Sequence, residues 1–192
     1  TMALRMRRKG IQVFIIAPLK GHEFYRAARN VGGEFIQISP ASKNCINIME
    51  IRKVDNSVNE LLDGPTLDAS ALAGKIQRLH IFFSLLIPDM SHEEKQLLDE
   101  ALIKTYARKG ITHKNESLTD PQHPEQYKKM PILEDVYNVL LESEDTKRLA
   151  HILNRLVHGS ASSFNQQTNV DLTNKYTVLD ISELTGSSAL LM

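Results

Sequence analysis

A histidine beside a glutamate, His22-Glu23, is a pairing suited to acid–base work, and Lys20 adds a cation three residues before the acid. All three follow the apolar run Ile11-Gln12-Val13-Phe14-Ile15-Ile16-Ala17, whose β-branched residues read as a strand buried on both faces. Glu23 therefore falls just beyond the C-terminal end of a parallel strand, the edge where such sheets bind ligands. Asp180 closes a second strand, Lys175-Tyr176-Thr177-Val178-Leu179-Asp180-Ile181, and reaches the same edge. Each of these residues has a plainer reading as well. Glu23 suits the first turn of a helix, where the dipole favours an acid; Lys20 suits an exposed loop, and Asp180 a turn. No nucleophile with a fixed partner accompanies them. The chain has seven histidines but no Cys-x-x-Cys or His-Glu-x-x-His spacing, so no metal site is expected.

The elements that must position these residues are legible from periodicity. Arg5 to Gly10 reads as the basic last turn of a helix closed by glycine. Pro18 stops the first strand, Gly21 to Val31 returns as an amphipathic helix, Gly32-Gly33 breaks it, and Glu34 to Ile38 alternates as another strand. Helix, strand, helix and strand with short connections are the grammar of a right-handed βαβ crossover in an α/β sheet.

From Asn56 to Gly159 the pattern turns helical. Ala69 to Ile87 carries Ile76, Leu79, Phe82, Phe83, Leu86 and Ile87 at helical spacing, which predicts a mostly buried helix. Ser91 and Glu94 form a capping box opening a helix to about Lys109, with Gly110 as its stop. Thr112 to Lys129 is a polar, exposed loop; Pro131 takes the first position of the next helix, and Thr146 to Val157 makes another. After Ser160 a polar surface loop leads into the Lys175–Ile181 strand, and Ser187 to Met192 starts what reads as a further helix. The expectation is an α/β protein: a partial parallel sheet of about three or four strands formed by residues 1–55 and 160–192, with an all-helical insertion at 56–159. So few strands leave sheet edges and a face uncovered, which favours a piece of a larger protein.

Bulk properties narrow the class further. Hydrophobic residues make up 42% and charged residues 24%, a globular composition. Lys plus Arg and Asp plus Glu both number 23, so no net charge draws the chain onto nucleic acid. Tyr106, Tyr127 and Tyr137 do not alternate with basic residues as a stacking platform for single strands would. The lone Cys45 excludes internal disulfides and fits a reducing cytoplasm. The longest apolar stretch, Ile81 to Ile87, is far short of the roughly 20 residues of a bilayer span, and Thr1 to Gly10 is too polar and short for a signal peptide.

Several segments together resemble one family. Val13 to Pro18, Gly21-His22-Glu23-Phe24, Gly32 to Ser39 and Asn47-Ile48-Met49 look like the large ATPase of conjugative type IV secretion systems, the fourth component of the VirB class. Lys75 through Tyr106 resembles that family's helical insertion, and Ser160 to Asn174 with Val178 to Ser182 resembles its return to the core. The resemblance implies a RecA-like fold, ATP with magnesium in the parent protein, and Glu23 near the γ-phosphate orienting water. It also places Lys20 and Asp180 as nucleotide-binding candidates. Partners would be other subunits of the same ATPase and type IV secretion components, at the inner face of the cell membrane.

The departures carry equal weight. Ala17 stands where many members have aspartate, the connection to Glu23 is longer, and Ile48 replaces a proline. The chain has no Gly-x-x-x-x-Gly-Lys-Ser/Thr; around Gly74-Lys75, Ala69 replaces the first glycine and Ile76 the hydroxyl residue. Nor does it contain an apolar strand ending in Asp-Glu. Without a phosphate loop and a magnesium-binding acid, phosphoryl transfer lacks charge neutralisation. The expectation is a segment of an ATPase that is not itself catalytic; the alternative is a non-catalytic helical interaction module.

Overall fold

In the computed structural model, residues 2–39, 42–52 and 70–184 are described. The predicted helix at 187–192 lies outside them. The chain runs α1 (Met2–Arg8), β1 (Val13–Ala17), a 3-10 turn (Gly21–Phe24), α2 (Tyr25–Asn30) and β2 (Glu34–Gln37). Then come α3 (Ala71–Leu86), α4 (His92–Arg108), α5 (Leu133–Leu140), α6 (Lys147–Val157) and finally β3 (Tyr176–Asp180). The three strands form one parallel sheet in the order β1-β3-β2, with Ala17, Asp180 and Gln37 level with one another at its C-terminal edge. The α/β class and the parallel sheet carrying helical regions are as the sequence predicts. The last strand, however, inserts between the first two, so the β1–α2–β2 connection passes over a neighbour.

The expectation that β1 is buried on both faces is corrected. That description belongs to β3, every residue of which is buried, while β1 alternates. Val13, Ile15 and Phe35 join Tyr176 and Val178 beneath α1 and α2, against Leu4, Met6, Ala28 and Val31. On the opposite face Ile36 and Leu179 are covered by Phe164, Val170 and Leu172 from the loop before β3. That cover stops short of β1, whose Phe14 and Ile16 are 47% and 59% exposed. An apolar run does not reveal whether its strand is central or at an edge, and this one is at an edge.

The helices α3 to α6 enclose a separate core built on Leu72, Phe83, Leu98, Leu102, Leu133 and Leu153. Their ends are built as predicted at α4: Ser91 Oγ accepts from Glu94 N (3.1 Å) and Glu94 Oε2 accepts from Ser91 N (2.9 Å). Gly110 takes the left-handed conformation, φ +69°, that stops this helix. Two expectations shift. Helix α5 begins at Leu133, with Ile132 N donating to Asp135 Oδ2 (2.8 Å), so Pro131 precedes the cap and is not the first helical residue. Helix α3 buries Leu72, Ile76, Leu79 and Phe83 but leaves Ile81 63% exposed, so it is half-buried along its length. The polar loop after α4 is pinned by Leu118, buried in the helical core, and by a Thr119–Tyr127 bridge.

Asn47 joins the two cores. Its Nδ2 donates to Pro131 O (2.8 Å), its Oδ1 accepts from Met49 N (3.0 Å), and its backbone N donates to Thr168 Oγ1 (3.0 Å). Two residues on, Met49 is buried in the helical core and its carbonyl accepts from the Tyr106 hydroxyl (2.5 Å). Burial pushes the Tyr106 phenol well above its ordinary range, so this hydroxyl remains a donor.

Candidate functional site at the C-terminal edge of the sheet

The three parallel strands end together, and the residues that follow them gather along one edge of the sheet. After β1, Pro18 and Leu19 lead to Lys20, which adopts φ +54°. That conformation costs a non-glycine residue about 1 kcal/mol and turns the chain sharply into the 3-10 turn at Gly21. Gly21 is buried directly on the Asp180 carboxyl: a Cβ there would lie 2.1 Å from Asp180 Cγ. Only glycine permits this approach. The interlock of the β1 turn and the end of β3 is what fixes the start of α2.

Asp180 is 5% exposed and accepts from Ser182 N through Oδ1 (3.0 Å), the Asx turn of its plainer reading. Among the described residues no cationic group lies within ion-pair distance of it. Lys20 and Glu23, by contrast, point to solvent and face each other at 3.8 Å across one turn. Asp180 therefore sits beneath the turn that carries them, in contact with its backbone and not with their side chains. His22 is exposed beside them. Sequence reasoning missed two further residues at this edge: Gln37, at the end of β2, donates through Nε2 to Glu183 Oε1 (2.7 Å). Both are polar residues placed immediately at or after a strand end, which was the available signal. Asn47, by contrast, bonds the backbone of its own turn, away from this edge.

The electrostatic balance of this edge decides what it can hold. Among the described residues, the one cation at this edge, Lys20, pairs with Glu23, while Asp180 and Glu183 add two further acids, and a triphosphate needs the opposite excess. These residues do not fit as a phosphate cradle by themselves, and no step of a phosphoryl transfer is derived from them. What they present is an exposed glutamate, chemically able to accept a proton, on a turn packed against a buried aspartate. Elsewhere, a cavity of about 380 Å³ lies between the helical block and the loop before β3, lined by Glu50, Arg52, Glu125, Tyr127, Thr168 and Asp171. Thr168 Oγ1 donates to Glu50 Oε2 (2.6 Å), which also receives Arg52 at 3.1 Å, so its charged groups are largely satisfied by one another. Among the described residues no helix is long and apolar enough to cross a membrane, and no three or more His, Cys, Asp or Glu side chains converge to hold a metal ion.

A parallel three-stranded sheet carrying an all-helical block defines an α/β fold of the partial RecA-like kind. Among solved structures it is similar to VirB4 of Thermoanaerobacter pseudethanolicus, with a TM-score of 0.77 and 26% sequence identity over 98% of this chain and 47% of that one. The chain thus has a VirB4-like fold and spans about half the length of that protein. No protein-family model matches the chain, and neither does any curated protein sequence.

Proposed function

We propose that this chain is the central segment of a type IV secretion motor ATPase of the VirB4 kind, in which residues 56–159 are an insertion subdomain on the nucleotide-binding core. The observation that carries this reading is the match of almost the whole chain, sheet and helical block together, to VirB4. In this reading Glu23 orients the attacking water, and Lys20 and Asp180 bind the nucleotide at the ATP–magnesium site. The phosphate loop and the magnesium-binding acid come from polypeptide outside these 192 residues. ATP hydrolysis then powers secretion or pilus assembly at the inner face of the membrane, with other ATPase subunits and secretion components as partners. The test is Glu23→Ala in the complete gene product. Hydrolysis should fall at least tenfold while the melting temperature stays within about a degree; an unchanged rate would return Glu23 to the solvated surface.

A second reading, a non-catalytic interaction module, is favoured by one feature. Ile81 and Leu85 stand exposed one turn apart on α3, as a docking stripe would. A complete gene product that neither binds nor hydrolyses ATP would favour it.

A further inference from the structure

The chain passes from the sheet unit to the helical block once and back once, and the two crossings, residues 45–50 and 164–169, lie side by side. Asn169 N donates to Cys45 O (3.2 Å), and Asn169 Oδ1 accepts from Cys45 N (2.7 Å). Asn47 N donates to Thr168 Oγ1 (3.0 Å), which in turn donates to Glu50 Oε2 (2.6 Å). Cys45, the only cysteine of the chain, is 1% exposed between the crossings, and its Sγ donates to Gln166 O (3.5 Å). On the block side, Gln167 Nε2 donates to Met130 O (2.7 Å). Among the described elements, none of α3 to α6 packs extensively on a strand, on α1 or on α2. Block and sheet bury separate apolar clusters, and Phe164 packs against both. A joint of amide and hydroxyl bonds opens by exchanging them for bonds to water. With one shared aromatic ring, that opening exposes little apolar surface. Units joined by small, polar contacts move relative to one another. Asn44 Nδ2, beside the first crossing, donates to Gln37 O at the end of β2 (3.1 Å), and the return crossing leads through Val170 and Leu172 into β3. Movement at the joint therefore bears on the two strands that end in Gln37 and Asp180.

We propose that the two crossings form a hinge on which the helical block swings relative to the sheet. The bonds between residues 45–50 and 164–169 open and reclose together, Phe164 is the pivot, and the open state uncovers Cys45. In the closed state burial raises the Cys45 thiol above its ordinary range, against the opposing bond to Gln166 O, and keeps it unreactive. Its reactivity is thus a built-in reporter of opening. The inference adds to the motor reading but stands on the geometry of the joint, so the two fail separately.

The test is the rate at which an aromatic disulfide labels Cys45 in the 192-residue chain. Below the unfolding transition that rate should be nearly independent of urea, because hinge opening exposes little surface. Thr168→Val and Asn169→Ala should each speed it at least tenfold in that range, more than their shift of the unfolding midpoint explains. Leu102→Ala, in the block core, should lower the midpoint and leave the low-urea rate unchanged. Labelling that follows global unfolding at every urea concentration, in the parent chain and every variant, overturns the proposal. A second readout separates a swing from local fraying: spin labels on the exposed positions Asn30→Cys and Lys95→Cys, in a Cys45→Ser background. Their distance distribution should widen or gain a second population when Thr168→Val is added; one narrow distance in both overturns it. A block that swings in a complete gene product without ATP turnover would sink the motor reading and leave this inference standing.

Discussion

In the helical block, Leu98, Leu102 and Tyr106 have no solvent exposure, and charges on neighbouring elements are matched. Arg148 of α6 bridges Asp89 and Glu94 at 2.6 Å each, Lys104 and Arg108 of α4 meet Glu142, and Lys109 meets Asp135 at 2.9 Å. In the sheet unit, Phe14 and Ile16 are exposed, the basic residues Arg5, Arg8 and Arg26 lie exposed, and among the described residues β1 pairs with β3 alone. The difference teaches where each part gets its stability. The helices bury their inner apolar faces and match charges across elements, leaving Ile81 and Leu85 exposed, whereas among the described residues one sheet face is covered and the other only in part.

The largest effect should come from within the self-sufficient half. Leu102→Ala removes a fully buried side chain from the helical core and should cost about 2–5 kcal/mol in urea unfolding. A loss below 1 kcal/mol would mean that this core is looser than its burial implies. Next, Gly21→Ala drives a methyl group onto the Asp180 carboxyl and should cost about 1–3 kcal/mol, chiefly in the sheet unit. Adding Asp180→Ala should recover much of that loss, a non-additivity expected only of residues in contact. Asn47→Ala leaves the Pro131 carbonyl and the buried Met49 N–H without their side-chain partner and should also cost about 1–3 kcal/mol. If the two halves depend on this joint, the unfolding transition should split into two.

Smaller effects come from titration. Burial first, then the nearby Arg78, lowers the Lys75 ammonium to about 8 from its ordinary 10.5. A folded state that resists protonation is penalised below pH 8 and gains stability as pH rises from about 8 to 10.5. Lys75→Met should therefore raise the melting temperature at pH 7, with the gain shrinking by pH 10; an unchanged difference would contradict the burial. The smallest effect is at the acid end. The Ser91 backbone N–H first, then Arg148, holds the Glu94 carboxyl below its usual range; hydrogen bonds from Lys104 first, then Arg108, do so for Glu142. Depressed acids stabilise the fold above their unfolded value and lose that contribution as pH falls through the folded one. Solvent and salt screen these exposed pairs, so Arg148→Ala should narrow the melting-temperature loss below the usual glutamate range by only a degree or two.

The same contrast explains what was legible in the sequence. Caps and stops are local chemistry, so Ser91, Glu94 and Gly110 could be read directly. Strand type was legible from β-branched runs, and the edge where Glu23 and Asp180 sit from where those runs end. Strand order was not, because Val13–Ala17 and Tyr176–Asp180 are both apolar runs and only tertiary pairing makes one central. The Gly21–Asp180 contact was hidden for the same reason: the two residues are far apart in sequence and meet only when β3 inserts beside β1. The polar loop before β3 looked like pure surface, yet its sparse apolar residues, Phe164, Val170 and Leu172, cover half of one sheet face.

The central claim, that the sheet unit is an incomplete part of a nucleotide motor, is tested most directly by magnesium-dependent ATP turnover of the purified 192-residue chain beside that of the complete gene product. The account predicts background release of phosphate from the chain alone and clear turnover from the complete protein. Turnover by the isolated chain would contradict it, because the sheet edge carrying Lys20, Glu23 and Asp180 would then suffice for a chemistry its charge balance does not support.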